Sequence, residues 1–178
     1  AISYLHAKNI VHKNLNTKCV LVEKERILVQ DLGILDLRLL CYNYGGNKKL
    51  KIPNGLLTSI PPEIIRIIKP SIKVNEIQFE PKSDIYAFGT LWYNLICGEK
   101  PYMGSCPEAI IRKIGLGDLQ SLYRINSPKE FKNLLIIMWS YNKNKRPTAS
   151  KVKEILNNLP KQMVGRSPSQ PLHAKSGI

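Results

Sequence analysis

The side chains able to do chemistry gather in the first fifth of the chain. His12-Lys13-Asn14-Leu15-Asn16-Thr17-Lys18-Cys19 is a short, mostly polar run, and Asp31-Leu32-Gly33 follows about a dozen residues later. At physiological pH a primary amide is neutral and offers no basic lone pair. Asn14 can therefore hold a hydroxyl but cannot take its proton, so it is no general base. A cysteine sulfur is a soft donor that suits hard cations such as Mg²⁺ poorly. Cys19, Cys41, Cys97 and Cys106 form no C-x-x-C pair and have no histidine at zinc-ligand spacing, so they read as reduced thiols, not as a disulfide or metal framework.

The elements that must position this run are legible from periodicity and punctuation. Residues 1 to 8 look helical, and CVLVE and RILVQ, separated by Lys24-Glu25, form a small β-hairpin over 18–30. From Asp31 to Pro61 the pattern dissolves into a long loop whose YNYGGNKKLKIPNG stretch is too polar to be core. Pro62 stands where a helix begins, EIIRII supplies a short apolar helix ended before Pro70, and a second loop follows. Pro81 to Cys97 is the strongest helix. Ile85, Phe88, Leu91, Trp92, Leu95 and Ile96 give it an apolar surface too broad for one-sided burial, so it should be the central element. Three more helices are expected: Pro107 to Ile114, Ser127 to Trp139 opened by S-P-K-E at capping-box spacing, and Thr148 to Leu159 opened by Thr148 with Lys151 at N3. Residues 160–178 are polar and rich in Pro and Ser, and they read as a flexible basic tail in which Ser167 and Ser169 are weak candidates for phosphorylation.

Bulk composition narrows the classes. Hydrophobic residues at 43% and charged residues at 22% describe one globular domain, residues 1–159, followed by the tail. The opening AISYLHAKNI reads as a helix already under way in a larger protein, and no apolar run approaches the roughly 20 residues of a membrane span, so a soluble protein is expected. A net charge of +14 invites nucleic acid or anionic lipid as a partner. The basic residues are nevertheless dispersed over Lys48–Lys51, Lys69–Lys73 and Lys143–Lys153, without stacking aromatics or a recognisable nucleic-acid motif. Solvated faces account for most of them, no nucleic acid is expected, and an acidic protein or lipid headgroups remain open.

Four landmarks stand in a characteristic order: H-K-N-L-N-x-x-C at His12 to Cys19, D-L-G at Asp31, P-P-E at Pro61 to Glu63, and D-I-Y-A-F-G at Asp84 to Gly89, completed by Arg146-Pro147. Each is weak alone, but the ordered series, covering about residues 1–159, resembles the C-terminal lobe of a protein kinase. The implied fold is mainly α, α+β overall, with the hairpin beside the catalytic loop. YLHAKNIVHK, NGLLTSIPPEIIR, FGTLWYNL, PEAIIRKIGLG and RPTASKVKEILNNLPK are further similar to the kinase suppressor of Ras proteins, Raf-related scaffolds of the Ras to MAP kinase pathway; a generic Raf-like lobe is the alternative.

The resemblance assigns roles. His12 and Leu32 would belong to the hydrophobic spine, Asp84 would anchor it, Leu21 would underlie an adenine ring, and Glu63 would pair with Arg146. Asn14, Asn16 and Cys19 stand where an active kinase carries its proton-accepting Asp, its phosphoryl-neutralising Lys and its metal-holding Asn, and Leu56 replaces a bridging hydroxyl residue. Kinase suppressors of Ras usually keep that Asp and Asn, so the chain departs from them as well. Asp31 alone retains a carboxylate that would bind Mg²⁺ on nucleotide phosphates. A pseudokinase scaffold is therefore expected, binding a MEK-type MAP kinase kinase and a Raf-type kinase, with ATP and Mg²⁺ as conditional ligands. It would be cytoplasmic and recruited at need to the membrane. Ala109, Ile110, Lys113 and Ile114 are its expected docking residues. An atypical active Ser/Thr kinase is the alternative, and a basic membrane or nucleic-acid adaptor using Lys143, Lys145, Lys151 and Lys153 is a remote one.

Overall fold

A computed structural model describes residues 1–24, 26–33, 54–68, 77–123, 125 and 127–159. The expectations for Cys41, Lys48–Lys51, Lys69–Lys73 and the tail with Ser167 and Ser169 lie outside those residues.

The chain opens with helix α1 (Ile2–Ala7) and reaches strands β1 (Val20–Glu23) and β2 (Arg26–Val29) through a 3-10 turn at Thr17–Cys19. The strands pair antiparallel, Val20 opposite Val29 and Leu21 opposite Leu28, with Lys24 at φ +52 in the connection. Helices α2 (Asn54–Leu57), α3 (Pro62–Ile65), α4 (Pro81–Cys97), α5 (Pro107–Leu116), α6 (Lys129–Met138) and α7 (Ala149–Asn158), with a second 3-10 turn at Lys143–Lys145, complete the described elements. This is the expected mainly helical architecture with one small hairpin. Among the described residues no helix is long and apolar enough to cross a membrane.

Helix α4 is the axis of the molecule. Pro81 supplies a preset φ where no intrahelical N–H is needed, the Glu80 N–H donates to Ser83 Oγ (3.2 Å), and Gly98 ends the helix at φ +70, a conformation glycine adopts without a Cβ penalty. It buries Ile85, Tyr86, Ala87, Leu91 and Tyr93 together with polar Ser83, Asp84 and Thr90. Leu95, expected on its apolar surface, is instead exposed, because the last turn of the helix emerges from the core. At Gly89 a Cβ would stand 3.0 Å from the Trp139 ring, so the absent side chain is what lets α6 and its C-terminal Trp139 approach. That contact is reinforced by Trp139 Nε1, which donates to Thr90 Oγ1 (3.2 Å), and by Thr90 Oγ1, which donates to the Thr58 carbonyl (2.8 Å).

Two details differ from the sequence reading. A helical turn, α2, occupies the end of the segment read as loop, and Leu57 and Ile60 beside it are core residues. Helix α6 begins at Lys129 with Pro128 at its N-cap and no side-chain cap, so S-P-K-E does not form the expected capping box. Thr148 does cap α7, its Oγ1 accepting from the Lys151 N–H (3.2 Å).

Burial sets the alkaline limit of this fold. Desolvation pushes the Tyr86 and Tyr93 phenols well above the usual 10.0, Tyr102 to about 12, and the Cys19 and Cys97 thiols above 9.0. Because the folded chain holds these groups neutral more strongly than the unfolded chain does, their contribution is complete below the unfolded values and is lost as pH rises through the folded ones. Melting temperature measured against pH should be indifferent to these groups from pH 6 to 8 and fall progressively above about pH 9.

Candidate functional site

The polar run His12–Cys19 is held from below by one carboxylate. Asp84, buried in the first turn of α4, accepts from the backbone N–H of His12 (2.8 Å, Oδ2) and of Lys13 (2.9 Å, Oδ1), while His6 Nε2 lies 2.8 Å from Oδ2. Lys13 has φ +70, a left-handed conformation unusual for a side-chain-bearing residue, and its hydrogen bond to Asp84 helps to hold it. Asp84 thus ties the backbone of His12 and Lys13, the first residues of the run, to the first turn of α4. His12 is buried as expected, its Nδ1 accepting from the Asn14 N–H (3.3 Å).

The next residues form a hydrogen-bonded cluster centred on Asn16. Asn16 Nδ2 donates to the Asn14 carbonyl (2.7 Å) and to Asn14 Oδ1 (3.1 Å), and Asn16 Oδ1 accepts from the Lys18 N–H (2.8 Å). The Asn16 N–H points at Cys19 Sγ (3.2 Å), and the thiol donates back to the Asn16 carbonyl (2.9 Å). Cys19 is fully buried, packed with Leu15, Ala87 and Leu91. Burial, and secondarily the nearby Asp31 charge, push its thiol up, so it stays protonated at neutral pH.

Two backbone bonds bring Asp31 alongside: the Gln30 N–H donates to the Cys19 carbonyl (2.8 Å), and the Gly33 N–H donates to the His12 carbonyl (2.9 Å). Asp31 itself is half-buried with φ +62. Leu21 and Leu32, expected beneath a nucleotide and in the spine, are 44% and 45% exposed. Leu21 shares its hairpin face with the opposing Leu28, leaving a flat apolar surface open.

Mg²⁺ asks for oxygen donors in near-octahedral array. Position 19 presents a buried sulfur already hydrogen-bonded in both directions, and both side-chain ends of Asn16 are spent within the cluster. Asp31 is left as the one carboxylate of the run, and these residues do not fit a bridging Mg²⁺ site. Among the described residues no group of three or more His, Cys, Asp or Glu side chains is placed to hold a metal ion.

Beside Asn14 lies a small cleft lined by Lys13, Leu15, Leu56, Ser59, Ile60, Phe79 and Ala87. Its wall at Leu56, Ser59 and Ile60 leads directly into α3, which is held by the pair Glu63–Arg146. The buried guanidinium donates from Nη1 to Oε1 and from Nη2 to Oε2 (2.7 Å each), from Nε to the Ser140 carbonyl (2.9 Å) and from Nη1 to the Lys82 carbonyl (3.1 Å). It also lies over the Tyr86 ring, 5.1 Å from the centroid. Sequence reasoning did not find the Thr90 bridge to Thr58 that braces the same wall, since a threonine inside an apolar helix carries no pattern of its own.

The expected docking helix needs correction. Ile110 and Ile114 are 5% and 1% exposed and belong to the main core, because α5 turns that side onto α2 and α3. Neither can meet a partner. Lys113 is exposed, its Nζ 5.5 Å from the Tyr102 ring centroid, and Ala109 is half-buried at the edge. Ile114→Arg should abolish folding, which the loss of cooperative thermal melting would report, since an unpaired buried charge costs several kcal/mol.

Comparison with known proteins agrees with this geometry. The family described as protein tyrosine and serine/threonine kinase matches residues 1–156. The chain is 35% identical over 172 residues to kinase suppressor of Ras 2 of Homo sapiens, covering 97% of this chain and 18% of that protein. It is 34% identical over 187 residues to kinase suppressor of Ras A of Caenorhabditis elegans, covering 99% and 23% respectively. It is 29% identical over 177 residues to the human serine/threonine-protein kinase A-Raf, covering 96% and 28%. The chain thus spans about a fifth of the length of the kinase suppressor of Ras relatives.

Proposed function

Because the chain belongs to the protein tyrosine and serine/threonine kinase family, we propose that residues 1–159 are the C-terminal lobe of a pseudokinase that regulates by binding other kinases. The observation that carries this reading is the neutral set Asn14, Asn16 and Cys19. It occupies the catalytic loop with side chains tied to one another and to the loop backbone, and it contains neither a proton acceptor nor a cation for a transferring phosphoryl group. The fold around it is nevertheless kept rigid by Asp84 and by Glu63–Arg146, as a binding scaffold requires. The exposed faces of Leu21 and Leu32 suit cover by an N-terminal lobe, with adenine on Leu21 if ATP binds.

The similarity to kinase suppressors of Ras and to A-Raf supports kinase signalling partners in general; on this reading they are a MEK-type and a Raf-type kinase of the Ras to MAP kinase pathway, met in the cytoplasm. The net charge of +14 supports recruitment to anionic membrane. The docking face of α5 is its outer edge, Ala109 and Lys113. In capture experiments with the full-length protein, Ala109→Arg combined with Lys113→Glu should reduce MEK retention at least about tenfold while leaving the melting temperature unchanged. Undiminished retention would remove α5 from the interface.

A further inference from the structure

We infer that Cys19 is a positioning residue that latches the loop shut and denies a divalent cation its second protein ligand, so that any nucleotide phosphate beside Asp31 gains no affinity from a bridging Mg²⁺. Only the nucleotide half of this statement rests on the proposed function.

The latch is built from both senses of the thiol. Sγ accepts from the Asn16 N–H and donates to the Asn16 carbonyl, closing the 3-10 turn on itself. The side chain is fully buried against Leu15, Ala87 and Leu91, so rotating it toward Asp31 would break two hydrogen bonds and open a void in that cluster. Asn16 cannot substitute as donor, because its carboxamide oxygen caps the turn at Lys18 and its NH₂ group is committed to Asn14. Asp31, fixed by the Gln30 and Gly33 backbone bonds, is then the one carboxylate left beside the loop among the described residues. With one protein oxygen beside it, a bridging Mg²⁺ would take every other ligand from the nucleotide phosphates and water, so the cation would add little to the hold of the protein on the nucleotide. Without the cation, a carboxylate facing phosphate repels it, which reverses the sign of the contribution Asp31 makes in a metal-bridged site.

The test uses the full-length protein and a fluorescent N-methylanthraniloyl ATP analogue, titrated in excess Mg²⁺ and in excess EDTA. Affinities in the two media should agree within about twofold, and Asp31→Asn should bind as tightly as the unmodified protein or more tightly. Weakening by about tenfold or more, in EDTA or on Asp31→Asn, would overturn the inference. If the analogue binds in neither medium, the nucleotide reading falls by itself, and Mn²⁺ uptake followed by electron paramagnetic resonance decides the metal claim. Uptake indifferent to Asp31→Asn supports the closed loop, and saturable uptake at submillimolar Mn²⁺ that Asp31→Asn abolishes refutes it. The latch has its own readout: iodoacetamide should label exposed Cys106 in the native protein and Cys19 only after unfolding. Native labelling of Cys19 at a comparable rate would show that the latch is open.

Discussion

Glu63→Ala should destabilise the chain by about 3 to 5 kcal/mol, the cost of leaving a buried guanidinium without its counter-charge. Arg146 is enclosed, and four of its hydrogen bonds run to three separate stretches of chain: Glu63 on α3, Lys82 on α4 and Ser140 after α6. Removing the carboxylate leaves the charge in place with only carbonyl dipoles and the Tyr86 ring to stabilise it. Urea unfolding with an unchanged slope and a lowered midpoint would register the effect. The double variant Glu63→Gln with Arg146→Met should recover part of the loss, because replacing both charges avoids the stranded ion. Arg146→Lys should not behave conservatively, since an ammonium cannot reproduce the planar fork that meets both Glu63 oxygens. A double variant no more stable than Glu63→Ala would show that the pair acts through shape and not through charge.

The second large effect is expected at Asp84. Replacement by alanine leaves the buried His12 N–H and the part-buried Lys13 N–H without acceptors, deprives His6 of its partner, and frees Lys13 from its left-handed conformation. At about 1 to 3 kcal/mol for each buried donor left unpaired, a total of about 3 kcal/mol or more is expected. Hydrogen exchange gives a local reading of the same event. The amides of His12 and Lys13 should exchange slowly in the unmodified chain and by local opening in Asp84→Ala, well before the amides of α6. Equal acceleration throughout would mean that Asp84 supports the whole fold and not the loop specifically. Asp84→Asn keeps one acceptor oxygen and should fall between the two.

How much of this was legible in the sequence follows from where the information lies. The boundaries of α4 could be read directly, because Pro81 and Gly98 act through their own backbone preferences. The Thr148 cap and the existence of the hairpin were legible for the same local reason. The Glu63–Arg146 pair was reached by resemblance, since the two residues are far apart in sequence. The pattern of α5 identified Ile110 and Ile114 as a face but not what that face meets, and burial against α2 and α3 reversed their assignment from docking residues to core. Pro128 at the α6 N-cap displaced Ser127 from a role its spacing had suggested. Cys19 is the most instructive case. Its chemistry announced a poor Mg²⁺ ligand, but whether a poor ligand still reaches the metal position depends on its rotamer, which the packing of Leu15, Ala87 and Leu91 decides.

The central claim, a kinase fold whose catalytic loop is built for structure and not for transfer, is tested most directly by phosphate incorporation. Full-length protein prepared free of Raf would be incubated with catalytically inactive MEK and γ-labelled ATP, and label on MEK measured alongside MEK retention. The account predicts no incorporation above the Asp31→Ala control, no gain from Asn14→Asp while Asn16 and Cys19 remain, and MEK retained throughout. Label on MEK that depends on Asp31 would contradict it and identify the chain as part of an active, atypical kinase.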